Sequence, residues 1–149
     1  MTMNCYLQAL DLYVPQTVVT NDDLTKIVDT SDQWIVERTG IKQRRKLETG
    51  ENASDLGVCA ARLALKNADL SPADVTHILV ATCTPDYLFP SVACVIAGEL
   101  DAGPVMAFDF GAACTGFIYG LSLCNSILAA EQSSRILLVC TEALTRKLN

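Results

Sequence analysis

Histidine and tryptophan occur once each in 149 residues, as His77 and Trp34, and that scarcity closes off several chemistries. One imidazole leaves little for a zinc site, and no cysteine is followed by a second at a metal-site interval. His77 precedes the apolar run ILVA, which puts it at the entrance to a strand, the wrong end for a site at strand carboxyl termini. It reads as a surface or capping histidine, and no Cys–His pair assembles within the chain. Basic residues are also few, eleven against seventeen acidic ones, and the net charge of −6 disfavours a nucleic-acid binder. No stretch approaches the roughly 18 consecutive apolar residues that span a bilayer. The opening MTMNCYLQALDLYVP has no basic region and meets Asp11 early, so no secretory signal is read and a cytoplasmic protein without membrane contact is expected. Dinucleotide and phosphate-loop glycine patterns, the GxSxG elbow, internal repeats and a domain linker are all missing.

What remains is apolar and well supplied with thiols. Half of the residues are hydrophobic, enough for one domain with a sizeable core and too many for a disordered segment. The seven cysteines are odd in number and sit mostly in apolar settings, which favours free, buried, intracellular thiols over a disulfide framework. Arg38, Lys42, Arg44, Arg45 and Lys46 place five of the eleven basic residues within nine positions. Such a knot suits phosphates or an acidic partner, and a solvated strand end explains it as well.

Residues 3–10 and 12–14 read as a short, largely apolar strand ending at Pro15. Thr20 with Asp23 three residues later starts a short helix whose stripe is Leu24, Ile27 and Val28. Thr30 or Ser31 caps a second helix that stops at Gly40, and Asn52 or Ser54 caps a third, with Leu56, Ala60, Leu63, Ala64 and Ala68 as its packing face. Three β-branched apolar runs, 76–83, 105–110 and 135–143, read as buried strands, separated by helices near 90–100 and 114–130. Strands alternating with helices of this length predict an α/β fold with βαβ crossovers and a mostly parallel sheet.

The strand signal of chemical interest is the second of these, VMAFDF, running into GAACTGF. Gly111, Ala112, Ala113 and Gly116 allow a tight turn, and a helix begins at or just after Cys114. Ligands of open α/β folds gather at strand carboxyl ends, and the amides opening a helix favour negative charge, which suits a thiolate nucleophile and an oxyanion. From chemistry alone, a nucleophile and a structural cysteine beside a tight turn both fit Cys114. Asp109, in the preceding strand, has an open role, with structural anchoring of backbone as the default reading.

TSDQWIVERTGIKQRR, beginning at Thr30, then FPS (89–91), FDFGAACTGFIYGL (108–121) and the closing ILLVCTEALTR together resemble the 3-oxoacyl-[acyl-carrier-protein] synthase III family of thiolase-like condensing enzymes. The resemblance covers essentially the whole chain and corresponds to the N-terminal half of the fold, so residues 1–149 are expected to form an N-terminal thiolase-like half-domain. It implies that Cys114 takes an acyl group from acyl-CoA, after which malonyl-acyl carrier protein loses carbon dioxide and its carbanion attacks the acyl-enzyme. Trp34 and Arg38 match residues at the nucleotide portion of coenzyme A, and Phe89 matches a residue of the acyl pocket contributed across a dimer interface. Purine against indole and guanidinium is physically reasonable; without the resemblance, Trp34 as a helix anchor in the core is the alternative. No metal or organic cofactor is implied, coenzyme A being a substrate carrier.

The departures from that pattern are Asp11 where a glycine is usual, Thr115 where alanine is commoner, and the lack of any counterpart to the decarboxylation histidine and asparagine. The resemblance places those two residues in a C-terminal half, which is expected as a second polypeptide, the complete enzyme being a homodimer. Three function classes stay open: a fatty-acid-initiating synthase, a polyketide starter ketosynthase or acyltransferase, and a non-catalytic half that binds a partner.

Overall fold

The computed structural model describes residues 5–147, which fall into two compact units, one of 14–51 with 145–147 and one of 5–13 with Asn52–Leu144. The smaller unit is built on an antiparallel pair, β1 (Thr17–Thr20) and β2 (Gln43–Lys46), in a register that sets Thr17 opposite Lys46 and Thr20 opposite Gln43. Between them lie α1 (Asn21–Thr25) and α2 (Asp32–Thr39). Thr20 and Asp23 close a capping box: the Thr20 hydroxyl accepts from the Asp23 amide and the Asp23 carboxylate accepts from the Thr20 amide. The helix ends at Thr25, too early for the expected stripe, and Ile27 and Val28 are exposed. Ser31 caps α2 through the Trp34 amide, and Gly40 ends it at φ 71°, a left-handed cap that favours glycine.

One buried amide ties these pieces together. Asn21, 1% exposed, donates to the Asp32 carboxylate (2.7 Å) and to the Ile41 carbonyl (2.8 Å), and accepts from the Arg44 guanidinium (2.7 Å). Arg45 donates to the carbonyls of Pro15 and Gln16. Two of the five clustered cations are therefore turned onto the unit's own framework.

In the larger unit, β3 (His77–Ala81) lies between β4 (Met106–Phe110) and β5 (Ile136–Cys140), all parallel, with Val80 level with Asp109 and Val139. All five residues of β3 are buried, as its uninterrupted β-branched run requires. Side chains alternate between two faces. Ile78, Val80, Leu137 and Val139 pack with Ala61 and Leu65 of α3 (Ala53–Ala68) and with Ile96 and Leu100 of α4 (Val92–Leu100). The buried stripe of α3 is Leu56, Gly57, Ala61 and Leu65, one position off the expected face, and Leu63 points to solvent. The shift lets Gly57 meet Ile96 and Val139, where a larger residue would collide.

The other face of the sheet carries α5 (Gly116–Ala130). A Cβ on Gly116 would stand 2.9 Å from the Ala81 Cβ, and one on Gly120 would stand 2.6 Å from Leu138 Cδ1. The helix is seated by these two missing side chains, and its far side leaves Phe117, Ile118, Tyr119, Leu121 and Leu123 exposed. By length and composition alone, Ala113–Ala130, with a mean hydropathy of 1.4, is long and apolar enough to cross a membrane. No single run of apolar residues produces this value, since Thr115, Ser122, Asn125 and Ser126 interrupt it.

The expected first strand is absent. Residues 3 and 4 lie outside the described residues, and 5–14 form no ladder. Among the described residues, β1 and β2 pair with one another and β3–β5 form their own sheet, so no strand stands alongside this segment. It is held by side chains instead: Gln8 donates to the Ala68 carbonyl, Asn67 donates to the Asp11 carboxylate, and the Cys5 thiol donates to Asn125.

Three changes test these assignments. Asn21→Leu leaves the Asp32 and Arg44 groups without their partner and is expected to cost about 1–3 kcal/mol, read as a lower denaturation midpoint by Trp34 fluorescence. Gly116→Ala forces the backbone away from Ala81 and is expected to cost about 1–3 kcal/mol. Gly98→Ala, in α4 with open space around the added methyl, is expected to gain about 0.5–1 kcal/mol in the same denaturation measurement.

Candidate active site

Strand β4 ends at Phe110, and Gly111 and Ala112 lead into a 3-10 turn, Ala113–Thr115, that passes directly into α5. Ala113 has φ 44°, in the left-handed region that costs a residue with a Cβ about 1–2 kcal/mol. The conformation swings the chain so that Cys114 stands exposed at the mouth of the turn. Thr115 closes that turn: its amide (3.1 Å) and its hydroxyl (2.7 Å) both donate to the Ala112 carbonyl. The hydroxyl thus serves the turn, and the amides of Thr115 and Gly116 are engaged within it, the latter on the Ala113 carbonyl. Of the small residues, Gly116 is demanded by close approach, whereas a Cβ on Gly111 would meet only the Thr82 carbonyl oxygen, at 3.8 Å.

Phe89 lies in the connection from β3 to α4, and since β3 and β4 are parallel neighbours it leaves the same end of the sheet as Cys114. Its ring is 87% exposed, and beside it is a cavity of about 470 Å³ lined by Tyr87, Leu88, Cys94, Phe108 and Asp109. Asp109 resolves its open role here. Its two carboxylate oxygens accept from the Val92 (2.7 Å) and Ala93 (2.8 Å) amides, so the sheet caps the start of α4.

Two further carboxylates were not singled out from the sequence. Asp86 accepts from the Ala53 amide at the start of α3 (2.8 Å), and Glu142, just past β5, accepts from the Cys83 amide (2.8 Å) and the Thr84 hydroxyl (2.7 Å). Asp and Glu in loops carry no periodicity, so only the fold reveals what they hold.

His77 is 6% exposed and not at the surface. Its ring is level with Met106 and Ile136 at the amino end of the sheet, with one nitrogen 2.8 Å from the Thr76 hydroxyl and the other 3.8 Å from the Glu131 carboxylate. A strand entrance flanked on both sides buries what sequence position alone would leave to solvent, and His77 remains at the opposite end from Cys114.

The expectation of buried thiols is also corrected. Cys5, Cys83, Cys94, Cys114 and Cys140 are exposed, and Cys59 and Cys124 are half-buried; all seven are free. Apolar sequence context implies burial only if the far face of each element is covered, and here much of it is not. Desolvation among apolar neighbours pushes the Cys124 and Cys140 thiols up, Cys140 with help from the nearby Glu142 charge.

In the smaller unit, Trp34 and Arg38 come together on α2. The Arg38 guanidinium lies 5.4 Å from the indole centroid, and the indole is 55% exposed, which rules out the core-anchor reading. A cavity of about 350 Å³ beside the indole is lined by Asp29, Thr30 and Ser31. Among the described residues Thr30 Oγ1 is buried without a hydrogen-bond partner, an orphan that the sequence reading passed over as a cap alternative.

A labelling experiment follows from the thiol environments. With pKa raised, thiolate at Cys124 and Cys140 is still accumulating above pH 9, so their iodoacetamide rates are expected to keep climbing there in a peptide-resolved time course. Rates that plateau below pH 9 contradict the desolvation assigned to them.

The comparisons with known proteins agree in direction. The family model described as 3-Oxoacyl-[acyl-carrier-protein (ACP)] synthase III matches residues 108–149. A beta-ketoacyl-[acyl-carrier-protein] synthase III of Nitratidesulfovibrio vulgaris is 52% identical over 97% of this chain and 44% of its own length. The crystal structure of 3-oxoacyl-[acyl-carrier-protein] synthase III from Aquifex aeolicus superposes with a TM-score of 0.87 at 43% identity, covering 93% of this chain and 44% of that one. The priming beta-ketosynthase of the R1128 polyketide biosynthetic pathway gives a TM-score of 0.87 at 35% identity, covering 93% and 41%. The chain spans less than half the length of these relatives and shares their thiolase-like α/β architecture. With the fold, the FDFGAACTGF turn and these identities in agreement, the chain is a homologue of the 3-oxoacyl-[acyl-carrier-protein] synthase III proteins and corresponds to less than half of their length, consistent with an N-terminal half.

Proposed function

We propose that this chain carries the acyl-loading half of a 3-oxoacyl-[acyl-carrier-protein] synthase III, with Cys114 as the nucleophile. The observation that carries this reading is the turn: an exposed thiol at the carboxyl end of β4, presented by an alanine at φ 44° and leading straight into α5. The homology is to condensing enzymes of fatty-acid and polyketide pathways, which supports the same chemistry.

In the loading step the Cys114 sulfur attacks the thioester carbonyl of acyl-CoA. A new S–C bond forms, the bond to the coenzyme A sulfur breaks, and the thiol proton passes to the departing thiolate, so no oxidant or metal is needed. Trp34, Arg38 and the unpartnered Thr30 hydroxyl provide a stacking face, a cation and a hydrogen-bonding group, the complement of a nucleotide. Phe89, exposed and contributed across the homodimer interface in this reading, supplies apolar lining for the acyl chain. Decarboxylation of malonyl-acyl carrier protein and attack of its carbanion on the acyl-enzyme then require groups outside this sequence, which has no imidazole at the Cys114 end of the sheet. Residues 1–149 act in this reading as one N-terminal half-domain, completed by a C-terminal half and paired as a homodimer. Both carriers are water-soluble, which suits a cytoplasmic location. A polyketide-priming role is the second reading, supported by the likeness to the R1128 priming enzyme.

Incubation with acetyl-CoA followed by denaturing intact mass and peptide mapping tests the proposal. One acetyl group on Cys114, lost in Cys114→Ala, is expected; an unmodified chain, or acetylation spread over the other exposed thiols, counts against it. Trp34→Ala is expected to raise the Kd for coenzyme A by about tenfold, roughly 1.4 kcal/mol, by calorimetric titration, while an unchanged Kd removes the indole from the nucleotide site.

A further inference from the structure

The connection from Cys83 to Ser91 presents Tyr87, Leu88 and Phe89 with their side chains 62%, 102% and 87% exposed, so packing does little to hold it. Carboxylates hold it instead, at its beginning, at its middle and just beyond its end. Glu142 engages its beginning, with one oxygen on the Cys83 amide at 2.8 Å and the other on the Thr84 hydroxyl at 2.7 Å. Asp86 ties its middle to the Ala53 amide, and Asp109 fixes the first amides beyond its end, at Val92 and Ala93. Asp86 and Asp109 also cap α3 and α4, so each has a structural duty apart from the loop.

Glu142 is different. It extends from the residues just past β5, across the carboxyl end of the sheet, and its two oxygens meet the loop at successive residues. Thr84, 6% exposed, is fixed a second time by accepting from the Ala143 amide at 2.7 Å, so the segments after β3 and β5 are locked at one point. A bidentate charge-assisted clamp of this kind sets direction as well as position, and the segment it directs carries Phe89 five residues on.

We infer that Glu142 is a positioning residue for acyl selection: it holds the loop bearing Phe89 in place and thereby sets the depth of the acyl pocket. This rests on the reading of Phe89 as pocket lining. Gln in place of Glu142 retains one acceptor for the Cys83 amide and can donate to the Thr84 oxygen, whereas Ala loses both contacts.

The test uses the protein as purified, with any polypeptide that accompanies it, in unaltered, Glu142→Ala, Glu142→Gln and Phe89→Ala forms. Two quantities are read: amide hydrogen exchange across 83–91, and the ratio of Cys114 acylation rates with acetyl-CoA and hexanoyl-CoA. Glu142→Ala is expected to speed exchange in 83–91 by roughly tenfold or more, with α3 and the sheet unaffected. It is also expected to shift the acylation ratio in the same direction as Phe89→Ala, with Glu142→Gln restoring most of the original value. Unchanged exchange in the loop overturns the clamp. Exchange rising everywhere together overturns it as well, since that is a loss of stability without positioning. A ratio moved by Phe89→Ala and untouched by Glu142→Ala sinks the role of Glu142 and leaves the pocket standing. A ratio that neither variant moves, or no acylation of the unaltered protein, removes the pocket reading and this inference with it.

Discussion

Helix α5 can reach the sheet only because two of its residues have nothing to put there. Gly116 rests on the methyl of Ala81 and Gly120 on Leu138 and the ring of Phe110, at distances that a Cβ would make impossible without movement. That close seating fixes where the helix begins, and the helix beginning fixes where the turn of Cys114 must end. The turn in turn has only Gly111 and Ala112 to bring the chain from the last residue of β4, and the tight reversal places Ala113 in the left-handed region. The position of Cys114 is thus decided by a helix–sheet contact in which its own side chain takes no part.

Much of this was legible before any coordinates. The runs 76–83, 105–110 and 135–143 contain β3, β4 and β5, but only β3 is buried along its whole length; β4 and β5 leave residues such as Met106 and Cys140 exposed because each, among the described residues, has a strand on one side only. The caps at Thr20, Ser31 and Asn52 were legible, the last two as one of two alternatives each, because capping is a local chemistry with a local signature. The failures share a cause. Residues 5–14 look like a strand, but strand formation needs a neighbour, and periodicity says nothing of whether one is present. The cysteines look buried because their neighbours are apolar, but burial depends on what covers the element, as Cys94 and Cys140 show. His77 fails in the reverse direction, looking exposed by position and being enclosed by Thr76, Glu131 and two flanking strands. The carboxylates Asp86 and Glu142 and the orphan hydroxyl of Thr30 needed the fold, since each acts on backbone or space supplied from elsewhere in the chain.

Each unit carries a different part of the candidate machinery. The thiol, the Phe89 cavity and the carboxylates that organise the strand ends belong to the sheet unit, and the indole, guanidinium and Thr30 belong to the smaller one. Large apolar side chains stand exposed on α5, on the 85–89 connection and along residues 6–12. The relatives are more than twice as long as this chain, which is in keeping with surfaces shaped to meet further protein.

Ala113 has a bearing on how such a chain could be engineered. Stabilising substitutions are commonly found by searching for residues at odds with their backbone, and an alanine at φ 44° heads any such search, with glycine as the obvious repair. The repair would relax the one bond rotation that aims Cys114 outward, trading a fixed aim for a looser one. A thermostabilised version of this protein should therefore be sought in the helix interiors, and the residue that looks most like an error should be left as it is.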